Sequence, residues 1–150
     1  MKKSLNISQG IARDIPELHR MIAELAVYER APEEVTNTPG ELLSDWQEHR
    51  AFDFLIAEID NDVAGMALYY PRYSTWKGRC YYLEDLYVRE AFRGQGAGMA
   101  LLRAVAEVAR KAGAKRLDWQ VLDWNTPAVE FYESIGATIE KEWWNGKWWL

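Results

Sequence analysis

The chain is poor in the residues that most often carry covalent or metal chemistry. Of its 150 residues one is cysteine, Cys80, and two are histidine, His19 and His49. A lone cysteine closes no internal disulfide, and at the start of an apolar run it reads as a buried residue rather than a nucleophile. The histidines stand far apart in helical patterns, so no metal site and no histidine-based dyad is expected. No apolar run reaches membrane-spanning length, and Met1-Lys2-Lys3 leads into Ser4-Leu5-Asn6 instead of the apolar core of a signal peptide. A cytoplasmic protein without membrane partners is the expectation. Basic residues form no stripe, which argues against nucleic acid. Repeats, linkers and low-complexity tracts are missing too, so residues 1–150 are expected to form a single domain with a real core.

What charge there is lies unevenly. Residues 1–62 hold 13 acids and 6 bases, and residues 63–150 hold 10 acids and 12 bases. An anionic ligand would favour the second part and a cationic one the first.

Periodicity gives the element order. Ser4 to Gln9 is a short strand. Asp14 is placed as a helix N-cap, with Pro16 in the first turn and Glu17 at the capping-box position. Leu18, Met21, Ile22, Leu25 and Ala26 recur at helical spacing up to about Arg30. Thr38-Pro39-Gly40-Glu41 opens a second helix by the same logic. Phe52 to Ile59 and Val63 to Tyr73 alternate as strands across Asp60-Asn61-Asp62, a hairpin signal. Lys115 to Leu122 is a strand. Thr126 is read as the N-cap of a helix carrying Phe131 and Tyr132 and ending at Gly136. Ala137 to Leu150 reads as two short strands around the Asn145-Gly146 turn.

The most informative stretch is Tyr81 to Leu102. Tyr81 to Val88 is rich in aromatic and branched residues and reads as a strand. An amphipathic helix follows, and between them lie Gly94, Gly96 and Gly98. Strand, glycine turn and helix start form an anion cradle, because glycines let the backbone approach and unpaired N–H groups of the first turn point at the anion. Arg93 stands beside it. A nucleotide-hydrolase loop would need Lys-Ser or Lys-Thr, and a dinucleotide fingerprint a glycine where Met99 stands. A plain glycine-rich turn and a phosphate loop of another kind both remain.

Arg-x-x-Gly-x-Gly at Arg93 to Gly98 resembles the pyrophosphate motif of the GNAT acetyltransferase superfamily. Asn125 followed by Phe131-Tyr132 and Gly136-Ala137 resembles a second block of that superfamily. Tyr82-Leu83-Glu84-Asp85, Trp76-Lys77-Gly78-Arg79, Leu122-Asp123-Trp124-Asn125 and Tyr28-Glu29 are similar to its spermidine/spermine (diamine) and thialysine branch. The similarity runs from about residue 5 to residue 140. The Tyr73-Ser74-Thr75-Trp76 loop looks more like the thialysine type, with Ser74 where polyamine enzymes tend to carry an acid. The tryptophan-rich end departs from the branch.

The resemblance implies an α/β fold (α+β by some schemes) with a mixed, mostly antiparallel sheet in the order β-α-α-β-β-β-α-β-α-β-β. It implies acetyl transfer from acetyl-CoA, without a metal, to the primary amine of a small cationic substrate, and a homodimer. Tyr132 maps to the general acid for the departing thiolate, and Glu84 to the base or cation anchor. Tyr28, Glu29, Glu84 and Asp85 map to the amine side. Leu86, Tyr87, Val88, Arg93, Gly94, Gln95, Gly96, Ala97, Gly98, Met99, Asn125, Ala128 and Tyr132 map to the acetyl-CoA side. In a regular strand Glu84 and Asp85 would point to opposite faces, so both reach one cleft only across a bulge. The alternative is a CoA-binding sensor without catalysis, which would have no reason to keep both Tyr132 and Glu84.

Overall fold

The computed structural model describes residues 3–150. The chain forms two compact units, one running to Trp119 and the other Gln120–Leu150. In the first, β1 (Leu5–Gln9) leads through a short turn into α1 (Ile15–Tyr28) and α2 (Pro39–Gln47). Then come β2 (Asp53–Ile59), β3 (Asp62–Ser74), β4 (Gly78–Val88), α3 (Ala97–Lys111) and β5 (Leu117–Trp119). The sheet runs β1-β2-β3-β4-β5, antiparallel except that β5 lies parallel to β4. The second unit contains α4 (Thr126–Ser134). This is the mixed, mostly antiparallel sheet that the sequence predicts, with its first nine elements in order.

Alternation in the strands explains the layering. Phe54, Ile56, Met66, Leu68 and Tyr87 join Ile15, Leu18, Met21 and Leu42 of α1 and α2 in one buried cluster. Leu55, Ala57, Ala67, Tyr69 and Leu83 fill the intervening positions and are buried too. The apolar stripe of α3, with Leu101, Leu102, Val105 and Ala109, is buried where that helix meets β2, β3 and β4. The β2–β3 hairpin turns on Asp60 and Asn61, both with positive φ, as a tight primed turn requires. Thr38 and Glu41 form the capping box expected at α2, at 3.1 and 3.2 Å.

Three expectations need correction. Asp14 occupies the N-cap position of α1, but its carboxylate accepts the Ile11 N–H at 2.9 Å. Glu17 makes no capping box there. It pairs with Arg20 and Arg89, because full cations hold a carboxylate more strongly than a helix-end N–H does. At α4 the N-cap is Asn125, whose side chain accepts the Ala128 N–H at 3.4 Å, and Thr126 is already helical. Finally, among the described residues, 137–150 contain no strand. Trp143, Trp144, Trp148 and Trp149 are all exposed. A two-stranded hairpin without a face to bury is marginal in water, whatever its turn sequence.

Gly65 marks where the sheet is tightest. A Cβ there would lie 2.4 Å from the Tyr87 carbonyl oxygen and 3.2 Å from the Val88 Cα, both backbone atoms. Gly65→Ala must therefore push β3 away from β4, and should lower the unfolding free energy by roughly 1–3 kcal/mol, read from the urea midpoint.

Candidate active site

The register between β3 and β4 slips once. Leu68 faces Asp85 and Tyr69 faces Leu83, so two residues of β3 oppose three of β4 and Glu84 is the extra one. Counting alternately from Tyr82 puts Glu84 on the α1/α2 face of the sheet. Counting back from Tyr87 puts Asp85 there. The bulge makes both counts hold, and it brings the adjacent acids to one side as the expected cleft requires.

Glu84 is exposed and accepts a hydrogen bond from the Tyr70 phenol at 2.8 Å. Asp85 lies deeper. Burial first, then the negative charges of Glu84 and Glu29, push its carboxyl up to about 7. Glu29, just past the end of α1, is raised by burial and by Glu84. Three of the acids nominated from sequence thus share one electrostatic neighbourhood. The Tyr70 and Tyr82 phenols are both raised, by burial and then by Glu84. Sequence reasoning missed these tyrosines as site residues. Their place follows from cross-strand pairing, Tyr70 against Tyr82, which no local pattern states.

The glycine turn lies at the other end of β4. Gly94 and Gly96 adopt positive φ of 78° and 88°, and no atom stands within 4 Å of where their Cβ would be. The cradle is open, and Gly96 is the N-cap of α3. Gly98 already lies in the helix, its Cβ position 3.7 Å from the Val88 side chain. Ala97 is buried, so it offers an anion its backbone alone, and Gln95 and Met99 flank the same turn. The Arg93 guanidinium sits 5.2 Å above the Tyr28 ring, and its Nε donates to the Val88 carbonyl at 3.0 Å. This contact joins the end of α1 to the cradle.

Pairing between β4 and β5 covers only Tyr81 to Leu83. Leu86, Tyr87 and Val88 lie beyond it, with no β5 neighbour. The Tyr87 side chain points into the α1 core and donates to Glu24 at 3.2 Å, and its carbonyl lies toward Gly65 of β3, so by alternation the Leu86 and Val88 backbones face that open edge. Arg89 anchors the end of the strand. It donates to Glu24 through Nε and Nη2, at 2.9–3.2 Å, and through Nη1 to Glu17 at 2.6 Å and the Val63 carbonyl at 3.2 Å. Burial would raise Glu17, but its arginine partners lower it overall. Glu17 and Glu24 stand two helical turns apart on one face of α1, a spacing that could have signalled a shared cation.

In the second unit Tyr132 is 8% exposed, and its ring meets Phe131 edge-on at 5.4 Å between centroids. Asn125 is held at the N-cap and Ala128 by its bond to it. Two hollows of the first unit have none of Glu29, Glu84 and Asp85 in their lining. One of about 460 Å³ is lined by Ala12, Trp46 and Asp53, and one of about 300 Å³ by Tyr73, Ala112 and Ala114. Neither has Glu84 or a residue of the glycine turn in its lining. No group of metal-ligating side chains occurs among the described residues.

Residues 16–137 match the acetyltransferase (GNAT) family. The thialysine N-epsilon-acetyltransferase of Sus scrofa is 39% identical over 153 residues, covering 95% of this chain and 90% of that protein. The L-ornithine N5-acetyltransferase of Arabidopsis thaliana is 45% identical over 82 residues, 54% of this chain and 36% of that one. A solved aminoglycoside acetyltransferase from a soil metagenome shares the fold at 20% identity, with a TM-score of 0.80 over 97% of this chain and 96% of that one.

The position of Asp85 sets a pH dependence. Its carboxyl is raised in the folded chain above its ordinary value near ~3.9. Between that value and about 7 the folded state holds the extra proton, so stability falls as pH rises through this window. Asp85→Asn removes the penalty. Its melting temperature should exceed wild type by several degrees at pH 8 and match it at pH 4, as read by calorimetry.

Proposed function

The chain belongs to the GNAT acetyltransferase family, and from that premise we propose that it transfers the acetyl group of acetyl-CoA directly to the primary amine of a small cationic substrate, a lysine analogue or short diamine. The observation that carries this reading is the pair Glu84 and Asp85, brought to one side of the sheet by the β4 bulge, with Glu29 at the end of α1 within their electrostatic reach. A cation in that field is drawn in before it reacts, while a neutral acceptor gains nothing. The names of the thialysine and ornithine relatives support an ω-amine as the reacting group. Ser74 accepts the Lys77 N–H at 3.1 Å. With a hydroxyl there instead of an acid, a long triamine is disfavoured.

The chemistry divides among the residues. Backbone N–H groups from Gly94 to Met99 hold the pyrophosphate, and Arg93 adds a positive charge. The backbone of Leu86 and Val88, beyond the last β5 pair, meets the pantetheine chain and the acetyl oxygen. A substrate ammonium near ~10.4 first gives one proton to Glu84, directly or through water. The neutral amine then forms the C–N bond, the C–S bond breaks, and the second amine proton leaves as the thiolate is protonated. A phenol near ~10 beside a thiol near ~8.5 suits Tyr132 for that last transfer.

A screen of small amines with acetyl-CoA, following free thiol, tests the reaction. Tyr132→Phe keeps the ring and should lower turnover by roughly ten- to ten-thousand-fold with acetyl-CoA affinity nearly unchanged. Thiol release within a factor of about two of wild type would assign Tyr132 to packing alone.

A homodimer completes the proposal. Trp144 and Trp148 are 95% and 89% exposed, and tryptophan is favoured in the buried centre of protein interfaces. Light scattering at micromolar concentration should give twice the chain mass, and a monomeric mass would remove the assembly.

A further inference from the structure

The face of the sheet that carries Glu84 continues away from α1 and α2 as a polar row. Tyr70 and Arg72 of β3, Tyr82 of β4 and Asp118 of β5 lie on it in register, with Tyr70 opposite Tyr82 and Tyr82 opposite Asp118. The Tyr70 and Tyr82 rings pack at 5.5 Å between centroids, forming an aromatic floor. At one end Glu84 takes the Tyr70 hydroxyl. At the other the Arg72 guanidinium rests 5.3 Å above the Tyr82 ring. Both phenols lie within electrostatic reach of Glu84 and of Arg72, so the floor separates an anion from a cation.

Arg72 is only lightly engaged. Its charge contact is Asp118, at 3.5 Å, and it makes no hydrogen bond among the described residues. Asp118 is held more firmly by Arg116, whose Nε and Nη2 reach its two oxygens at 2.5 and 3.1 Å. The Arg72 fork therefore keeps donors for a second carboxylate, and its cation–π contact holds it beside Tyr82. Residues 70 and 72 are about 7 Å apart along the strand, which is on the scale of a lysine-like four-carbon stem.

We propose that Arg72 is a specificity residue that binds the α-carboxylate of the acceptor, so that the favoured substrate is an ω-amino acid with its reacting amine at Glu84 and its carboxylate at Arg72. The inference rests on the amine-acetylation reading and narrows it. A diamine would place a second cation beside Arg72 and be repelled, whereas an amino acid of the same length places an anion there.

The test uses pairs that differ only in the carboxylate: ornithine against 1,4-diaminobutane, and lysine against 1,5-diaminopentane. Wild type should show the higher kcat/KM for the amino acid of each pair. Arg72→Gln should lower the amino-acid to diamine ratio by about ten-fold or more, the effect of losing a charged hydrogen bond at a part-exposed site, and Arg72→Lys should restore part of it. The change should appear in the KM of the amino acid. A ratio unaltered by Arg72→Gln, or a wild type that prefers the diamines, overturns the proposal. Calorimetric binding of the same four compounds in the presence of CoA separates this from failure of the acetylation reading. If no amine is turned over yet ornithine binds wild type about ten-fold tighter than Arg72→Gln, the carboxylate site stands and the reaction does not. Equal binding to both removes the site.

Discussion

The single extra residue in β4 is the constraint on which the rest of the candidate site depends. A regular strand cannot present Glu84 and Asp85 to one face, because side chains alternate. With Glu84 looped out against the Leu68-Tyr69 step, the part of β4 before it keeps Tyr82 on the α1/α2 face and the part after it keeps Asp85 and Tyr87 there. The core is thus preserved on both sides of the irregularity. Tyr87 still fills the cluster under α1, and Leu83 still fills the opposite face. The cost is local, one unpaired residue, and the result is two adjacent carboxyls of different depth.

That difference in depth divides their chemistry. Asp85 is shielded and surrounded by like charge from Glu84 and Glu29, which favours its protonated form near neutrality. Glu84 meets water and a phenol. In the proposed reading a substrate cation relieves the repulsion among the three acids, so the field that raises the Asp85 carboxyl also draws in the amine. The opposite sign is handled at the far end of the strand. There the Arg93 charge, the positive end of α3 and the Gly94–Gly96 turn stand together as the proposed pyrophosphate site, while Arg89 is consumed by Glu17 and Glu24 and ties β4 to α1.

The nine elements through α4 were legible because their signals are local. Hydrophobic period, capping residues and the Asp60-Asn61 turn all act within a few residues of one another. The failures share a cause as well. Local spacing places Asp14 at the N-cap and Glu17 at the capping-box position because the nearest partner along the chain is a helix N–H, and Arg89, 72 residues on from Glu17, takes the Glu17 contact. The strands expected in 137–150 had good turn chemistry and β-favouring aromatics. Strand formation also needs a surface to cover, and propensity does not supply one.

The sequence by itself determined which residues could form helices and strands, where glycine had to stand, and that Glu84, Asp85 and the Arg93–Gly98 turn belong to one strand-turn-helix unit. Those properties depend on neighbours along the chain. Only the tertiary structure decided that Glu29 shares a field with the β4 acids, that Tyr70 binds Glu84, and that Arg72, Tyr82 and Asp118 line one row. Each of these contacts crosses from one element to another, and cross-strand register, including a one-residue slip, is fixed by the packing of both sheet faces at once.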